Sequence, residues 1–270
     1  MDIVDAQVHL GQEGFAETLA QMDAVGISAA MLAESWGRDA AGRLQPGHEL
    51  PGGVWRRASP LAEQAVILHP DRFTYLAQVN RQDPNLAAYI EMLASTPGAK
   101  ALRAMPLPDI EAFANGDYRK MFGLAQDAGL PVFIMLSGKT GLLARYAQEF
   151  PRLDFIIDHC GVPWGAGDAA SLGEVLKLAA YPKMALKWAH AQGHFGVTQY
   201  PYAALIPHLR KTIDAFGAER VMWASDHTTV EGQSWADLLF WLRDSKQITE
   251  AEKAAILGGT ARRILDWPGA

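Results

Sequence analysis

With 270 residues, 49% of them hydrophobic, the chain has material for one large core, and its single cysteine, Cys160, excludes a disulfide-held secreted fold. A formal net charge of −6 without a basic block argues against a nucleic-acid or anionic-membrane surface. No apolar run approaches the roughly 18 residues of a membrane span, and no leader pattern precedes the first strand, so one cytoplasmic domain over residues 1–270 is expected.

The chain opens on Ile3-Val4-Asp5-Ala6-Gln7-Val8-His9-Leu10. Strand alternation puts Asp5, Gln7 and His9 on one face and Val4, Ala6 and Val8 on the other, and such polar groups need partners when buried. Phe15 to Val25 has helical spacing and stops at Gly26; Ile27 to Ala33 reads as the second strand. Glu34 to Pro60 is too long for an ordinary connection and is expected to be functional. A helix over Leu61 to Leu68, a strand over Phe73 to Val79, a helix over Leu86 to Ser95 and a strand over Ala99 to Arg103 follow. Next come a helix from Tyr118 to Ala128, stopped by Gly129, and the solidly apolar strand Pro131 to Leu136. Thr140 to Phe150 is helical, Asp154 to Asp158 the sixth strand, Leu172 to Ala180 helical and Met184 to Trp188 the seventh strand. Ala203 to Phe216, Val221 to Ala224 and Trp235 to Arg243 give helix, eighth strand and helix. Thr249, with Glu252 three residues on, caps a last helix to Leu265 that is expected to seal the outside. Eight strands alternating with helices predict an α/β fold, a single-domain (β/α)8 TIM barrel; an open doubly wound sheet is the alternative.

In such a barrel the C-terminal strand ends form the site. They carry His9, Glu34, Asn80, Arg103, Ser137, His159, Lys187 and Asp226, an ionisable set expected to converge on one rim. Ser137-Gly138-Lys139-Thr140 mimics the end of a phosphate loop, but the first glycine that motif needs would fall at Phe133. Cys160 reads as a buried structural thiol. Trp36 and Trp164 lie in βα-loops, where they could floor an unsaturated ring, and His190, His194 and His227 are loop residues within reach of a substrate.

Asp5-Ala6-Gln7-Val8-His9, Ile157-Asp158-His159-Cys160-Gly161-Val162-Pro163 and Ala224-Ser225-Asp226-His227, in this order, resemble the amidohydrolase superfamily, and within it the amidohydrolase-2 group that contains lactonases. His69-Pro70-Asp71-Arg72-Phe73, Ala185-Leu186-Lys187 and Ile256-Leu257-Gly258-Gly259-Thr260-Ala261 extend the resemblance over nearly the whole chain. Two departures stand out. Gln7 occupies the place of the first histidine of His-x-His, and the fifth strand ends in Ile134-Met135-Leu136-Ser137 with no ligand. Only His9, His159 and Asp226 could hold zinc, and an amide is a poor zinc ligand.

The resemblance therefore implies a hydrolase of a small, carboxylated lactone in catabolism, with no cofactor required and zinc possible. Asp226 is the expected base, with His9 and His159 polarising the carbonyl. Gln7, Ser137, Trp36 and His190 would contact the substrate, and Arg103 and Lys187 would hold its carboxylate. A buried guanidinium needs a partner, so Arg103 should meet either that carboxylate or Asp5 or Glu34. The alternatives are a metal-dependent amidohydrolase or decarboxylase of the same superfamily, and a ligand-binding barrel without catalysis. The expected partner is a small anionic molecule, with no nucleic acid or membrane; a homo-oligomer is compatible with the sequence.

Overall fold

The computed structural model describes residues 1–12, 14–229 and 232–268. In chain order the strands are β1 (Val4–Leu10), β2 (Ala29–Glu34), a hairpin of β3 (Gly47–Leu50) and β4 (Val54–Arg57), β5 (Phe73–Gln78), β6 (Ala99–Ala104), β7 (Val132–Ile134), β8 (Phe155–Ile157), β9 (Met184–Ala189) and β10 (Val221–Ala224). Without the hairpin, the eight strands lie parallel in sequence order. The last strand returns to the first: the Asp226 amide donates to the Gln7 carbonyl at 3.1 Å. This is the (β/α)8 barrel, not the open sheet.

The covering helices are α1 (Ala16–Val25), α2 (Pro60–Leu68), α3 (Leu86–Ser95), α4 (Ile110–Asn115), α5 (Arg119–Ala128), α6 (Leu143–Glu149), α7 (Ala169–Leu176), α8 (Ala191–His194), α9 (Ile206–Phe216), α10 (Trp235–Arg243), α11 (Glu250–Ala254) and α12 (Thr260–Ile264). The glycines read as stops behave so: Gly26 and Gly129 take left-handed φ of 80° and 68°. No described helix is long and apolar enough to cross a membrane.

Alternation divides the apolar residues into two layers. Val4, Ala6, Met31, Ala101, Phe133, Ile156, Ala185 and Met222 fill the barrel, while Leu32, Leu102, Ile134, Ile157, Leu186 and Trp223 face the helices. The final segment corrects an expectation in part. A π-turn over Ala255–Gly259 re-aims its course between α11 and α12, and Ala261, Ile264, Leu265 and Trp267 join the interior cluster. Ile256 and Leu257 still pack in the outer layer, so the segment covers the outside with one part and closes the barrel floor with the other.

Candidate active site

The first strand does not alternate cleanly. Asp5 pairs with Ala30 but Val8 with Leu32, so β1 carries one extra residue, a β-bulge. Val4 and Ala6 sit in the barrel interior and Val8 and Leu10 in the outer layer. Gln7 and His9 consequently point inward, and Asp5, expected beside them, points out. Its Oδ1 accepts from the Ser225 amide (2.9 Å) and the Gln7 amide (3.1 Å), and its Oδ2 from Trp235 Nε1 (2.8 Å), tying β1 to β10 and α10.

Burial of Asp5 pushes its carboxyl up to about 6, against the lowering effect of those donors. The folded chain thus keeps this proton to about pH 6, the unfolded chain only to about 3.9, so Asp5's contribution to stability falls as pH rises between them. Asp5→Ala strands three buried donors and is expected to cost about 3 kcal/mol at pH 7, a Tm drop of roughly 6–12 °C. The cost should be about 1 kcal/mol larger at pH 5. Denaturant melts at the two pH values check both the size and the sign.

Above the apolar interior lies a layer of charge. Lys187, fully buried on β9, places Nζ 2.6 Å from Asp158 Oδ1 and donates to Gln7 Oε1; its ammonium also sits 5.2 Å over the Phe133 ring. Arg103 on β6 donates from Nε to Asp158 Oδ2 at 2.9 Å. Burial would raise the Asp158 carboxyl, but Arg103 and Lys187 overcome it and hold the group well below the usual carboxylate range. Burial lowers the Lys187 ammonium, and Asp158 opposes that shift. Arg103 therefore has a protein partner, but neither of those expected: Asp5 faces outward, and Glu34 accepts the Leu61 and Ala62 amides at the start of α2. Asp158 is a site residue that sequence reasoning misses. Its signal was alternation, since Ile156 two residues earlier faces the interior.

On this layer sit the acid–base groups. Because Lys187 can only donate, the Gln7 atom facing it is Oε1, and Gln7 Nε2 is turned to Asp226 Oδ1 (2.9 Å) and His9 Nε2 (3.2 Å). His9 Nε2 lies 3.2 Å from Asp226 Oδ1, and His9 Nδ1 meets the Ala33 carbonyl at 2.9 Å and so carries a proton. Burial would raise the Asp226 carboxyl, yet His9 and Lys187 hold it far below its ordinary range. Arg103 Nη2 lies 3.2 Å from His159 Nε2; a guanidinium only donates, which leaves the His159 proton on Nδ1. That N–H is buried without a hydrogen-bond partner, 3.9 Å from Asp226 Oδ2. Burial, with the nearby Lys187 charge, brings His159 down to about 3, so it is neutral at ordinary pH.

His159, His190 and Asp226 all take left-handed φ, 49°, 53° and 55°, where strands turn into loops. This is why His159 enters the site: in an extended chain it would face the helices, as Ile157 does. Cys160 is buried as expected, but within this left-handed turn (φ 58°), with Sγ 3.5 Å from the Ala189 carbonyl.

A cavity of about 770 Å³ opens over these groups, lined by His9, Arg103, His159 and Asp226 below and by Trp36, Arg38 and Arg57 above. The upper wall is the Glu34 to Pro60 segment, which holds the β3–β4 hairpin where a loop was expected. Of the substrate contacts expected from sequence, Trp36 and Arg103 line the cavity. Gln7 and Lys187 lie beneath its floor, Ser137 lies outside it, and His190 stands beside Asp226, Nδ1 to Oδ2 3.7 Å. His194 is buried with Nδ1 2.9 Å from the Val162 carbonyl, and His227 stacks on Trp235 at 3.9 Å. Trp164 packs edge-on against His190 at 4.5 Å. Arg38 and Arg57 are cavity residues that sequence reasoning missed, because nothing local marks which of Arg56 and Arg57 points inward.

Fold and site together define a (β/α)8-barrel protein with a histidine–aspartate centre at the C-terminal mouth. The chain belongs to the amidohydrolase family, whose model matches residues 4–267. It is similar to the L-fucono-1,5-lactonase of Burkholderia ambifaria, 28% identical over 150 residues that span 51% of this chain and 50% of that one. It also resembles a Pseudomonas putida structure assigned as a 2-pyrone-4,6-dicarboxylic acid hydrolase, with a TM-score of 0.77 and 18% identity over 100% of this chain and 99% of that one. A zinc-bound amidohydrolase from Burkholderia multivorans has a TM-score of 0.72 and 16% identity, over 99% of this chain and 100% of that one. At these identities the solved structures speak for the fold.

The donor set here does not suit zinc. A cation between His9 Nε2 and Asp226 Oδ1 would face the Gln7 amide hydrogens, with the Lys187 ammonium held on the other end of that amide. Among the described residues, no three His, Cys, Asp or Glu side chains form a metal-binding group. Purified protein is expected to carry well under one equivalent of zinc, and chelator to leave turnover intact. Elemental analysis showing stoichiometric metal, with chelator-sensitive activity, would contradict this.

Proposed function

We propose that the protein hydrolyses a small carboxylated lactone by attack of water on the ring carbonyl, without a bound metal. The observation that carries the reading is the unpartnered His159 Nδ1–H standing 3.9 Å from Asp226 Oδ2 at the cavity floor. One is a fixed donor for a carbonyl oxygen; the other is an acceptor for a water proton. A neutral imidazole N–H strengthens its hold as the carbonyl becomes an oxyanion, and Arg103 and Asp158 keep its ring and tautomer in place.

A carboxylate as strongly ionised as Asp226 is a weak base by itself. His9 Nε2, 3.2 Å from Oδ1, completes it: Asp226 Oδ2 holds the water, and the proton released in the attack rests on the Asp226–His9 pair. Collapse of the tetrahedral adduct breaks the ring C–O bond, and the departing oxygen takes the proton back. Gln7 and Lys187 act as positioning residues from beneath. The similarity to a lactonase and a cavity in the size range of small-molecule sites support the reading. The test is ring opening of lactones by purified protein, carboxylated ones first. No turnover of any lactone would remove the lactone reading.

A further inference from the structure

By strand alternation, the adjacent arginines at the end of the hairpin face opposite ways. Arg56 forms a two-pronged pair with Asp83, Nε to Oδ2 2.6 Å and Nη2 to Oδ1 2.7 Å, which pins the hairpin to the loop after β5. Arg57 turns into the cavity. It is only 8% exposed, and its Nη2 donates to the Glu34 carbonyl oxygen, while Nε and Nη1 are buried with no partner. Among the described residues it forms no ion pair, and neither does Arg38, whose Nη1 donates to the Gly42 carbonyl at 2.6 Å.

An unpaired guanidinium in so dry a place costs several kcal/mol unless something else compensates it. Burial brings Arg57 down to about 10; Glu34 opposes that, and the like charges of Arg103 and Arg38 deepen it. The nearby carboxylates are largely engaged: Asp158 by Arg103 and Lys187, and Glu34 through Oε2 by the start of α2, which leaves Glu34 Oε1 as the one carboxylate oxygen there without a hydrogen-bond partner. The upper cavity thus has cationic donors in excess of protein acceptors.

We infer that Arg57, assisted by Arg38, is the seat of the substrate's carboxylate, and that the β3–β4 hairpin, and not Arg103, sets specificity for anionic substrates. This rests on, and deepens, the lactone reading. The planar fork keeps unpartnered N–H donors on Nε and on Nη1, at different edges, either of which can give a carboxylate a charge-assisted hydrogen bond. Held by Asp83 and by Trp55 Nε1 on the Leu44 carbonyl (2.8 Å), the hairpin is a fixed wall that presents this fork. The carboxylate would then hold one end of the ring above, leaving the carbonyl for His159 below.

Calorimetric titration with glutarate, against its uncharged dimethyl ester, tests the site without turnover. Wild-type protein should bind glutarate, and Arg57→Met should bind it at least about tenfold more weakly with no change for the ester. In kinetics the same variant should raise KM for a carboxylated lactone and leave KM for a neutral lactone, and kcat for both, unchanged. If wild type does not bind glutarate, or Arg57→Met binds it equally, the inference fails. If Arg57→Met does not fold, Arg57→Lys decides: weakened binding supports the fork, undiminished binding overturns it. Arg57-dependent binding without turnover of any lactone would leave the inference standing and remove the lactone reading. Turnover with Arg57→Met kinetically silent would do the reverse.

Discussion

Asp226→Asn is expected to lower kcat/KM for a carboxylated lactone by about 100-fold or more with the fold retained. The amide can still accept from Gln7 Nε2, as Oδ1 does now at 2.9 Å, so the barrel seam is preserved. It cannot hold a water proton, and its neutral form removes the counter-charge beside His9. The loss should lie in kcat, since Asp226 is assigned to the attack and not to the carboxylate. Steady-state kinetics, with circular dichroism to confirm folding, check this; a folded variant of undiminished kcat would remove Asp226 from the chemistry.

His159→Phe should cost about 100- to 1,000-fold in kcat, because it removes a donor aimed at the developing oxyanion. The ring shape is kept, so stacking on His194, at 5.9 Å between centroids, survives. Two features separate this role from a structural one. KM should change little, and the loss should be equal on charged and neutral lactones, in contrast to Arg57→Met. A loss confined to KM, or to charged substrates, would mean that His159 binds the substrate without assisting the carbonyl.

Much of this was legible in the chain. The strand–helix rhythm and stop glycines such as Gly26 and Gly129 marked the barrel, and polar residues at the strand ends placed Arg103, His159 and Asp226 at its mouth. What escaped depended on backbone deviations that composition does not encode. The bulge in β1 sent Asp5 outward, and the left-handed turn at His159 brought that ring inward. The Arg103–Asp158 pair escaped because its members lie 55 residues apart in sequence and meet only with the barrel closed. Arg57 went unread because the segment carrying it looked like loop, and only pairing with β3 decides which arginine faces the cavity.

Ring opening in heavy-oxygen water decides most directly between lactone hydrolysis and its alternatives. Purified wild-type and Asp226→Asn proteins would be offered 2-pyrone-4,6-dicarboxylate, L-fucono-1,5-lactone and further carboxylated lactones, with products followed by mass spectrometry. The expected result is that wild type opens a carboxylated lactone and places one heavy oxygen in the newly formed carboxylate, and that Asp226→Asn does not. Release of carbon dioxide in place of ring opening, no reaction with any lactone, or equal turnover by both proteins would contradict it.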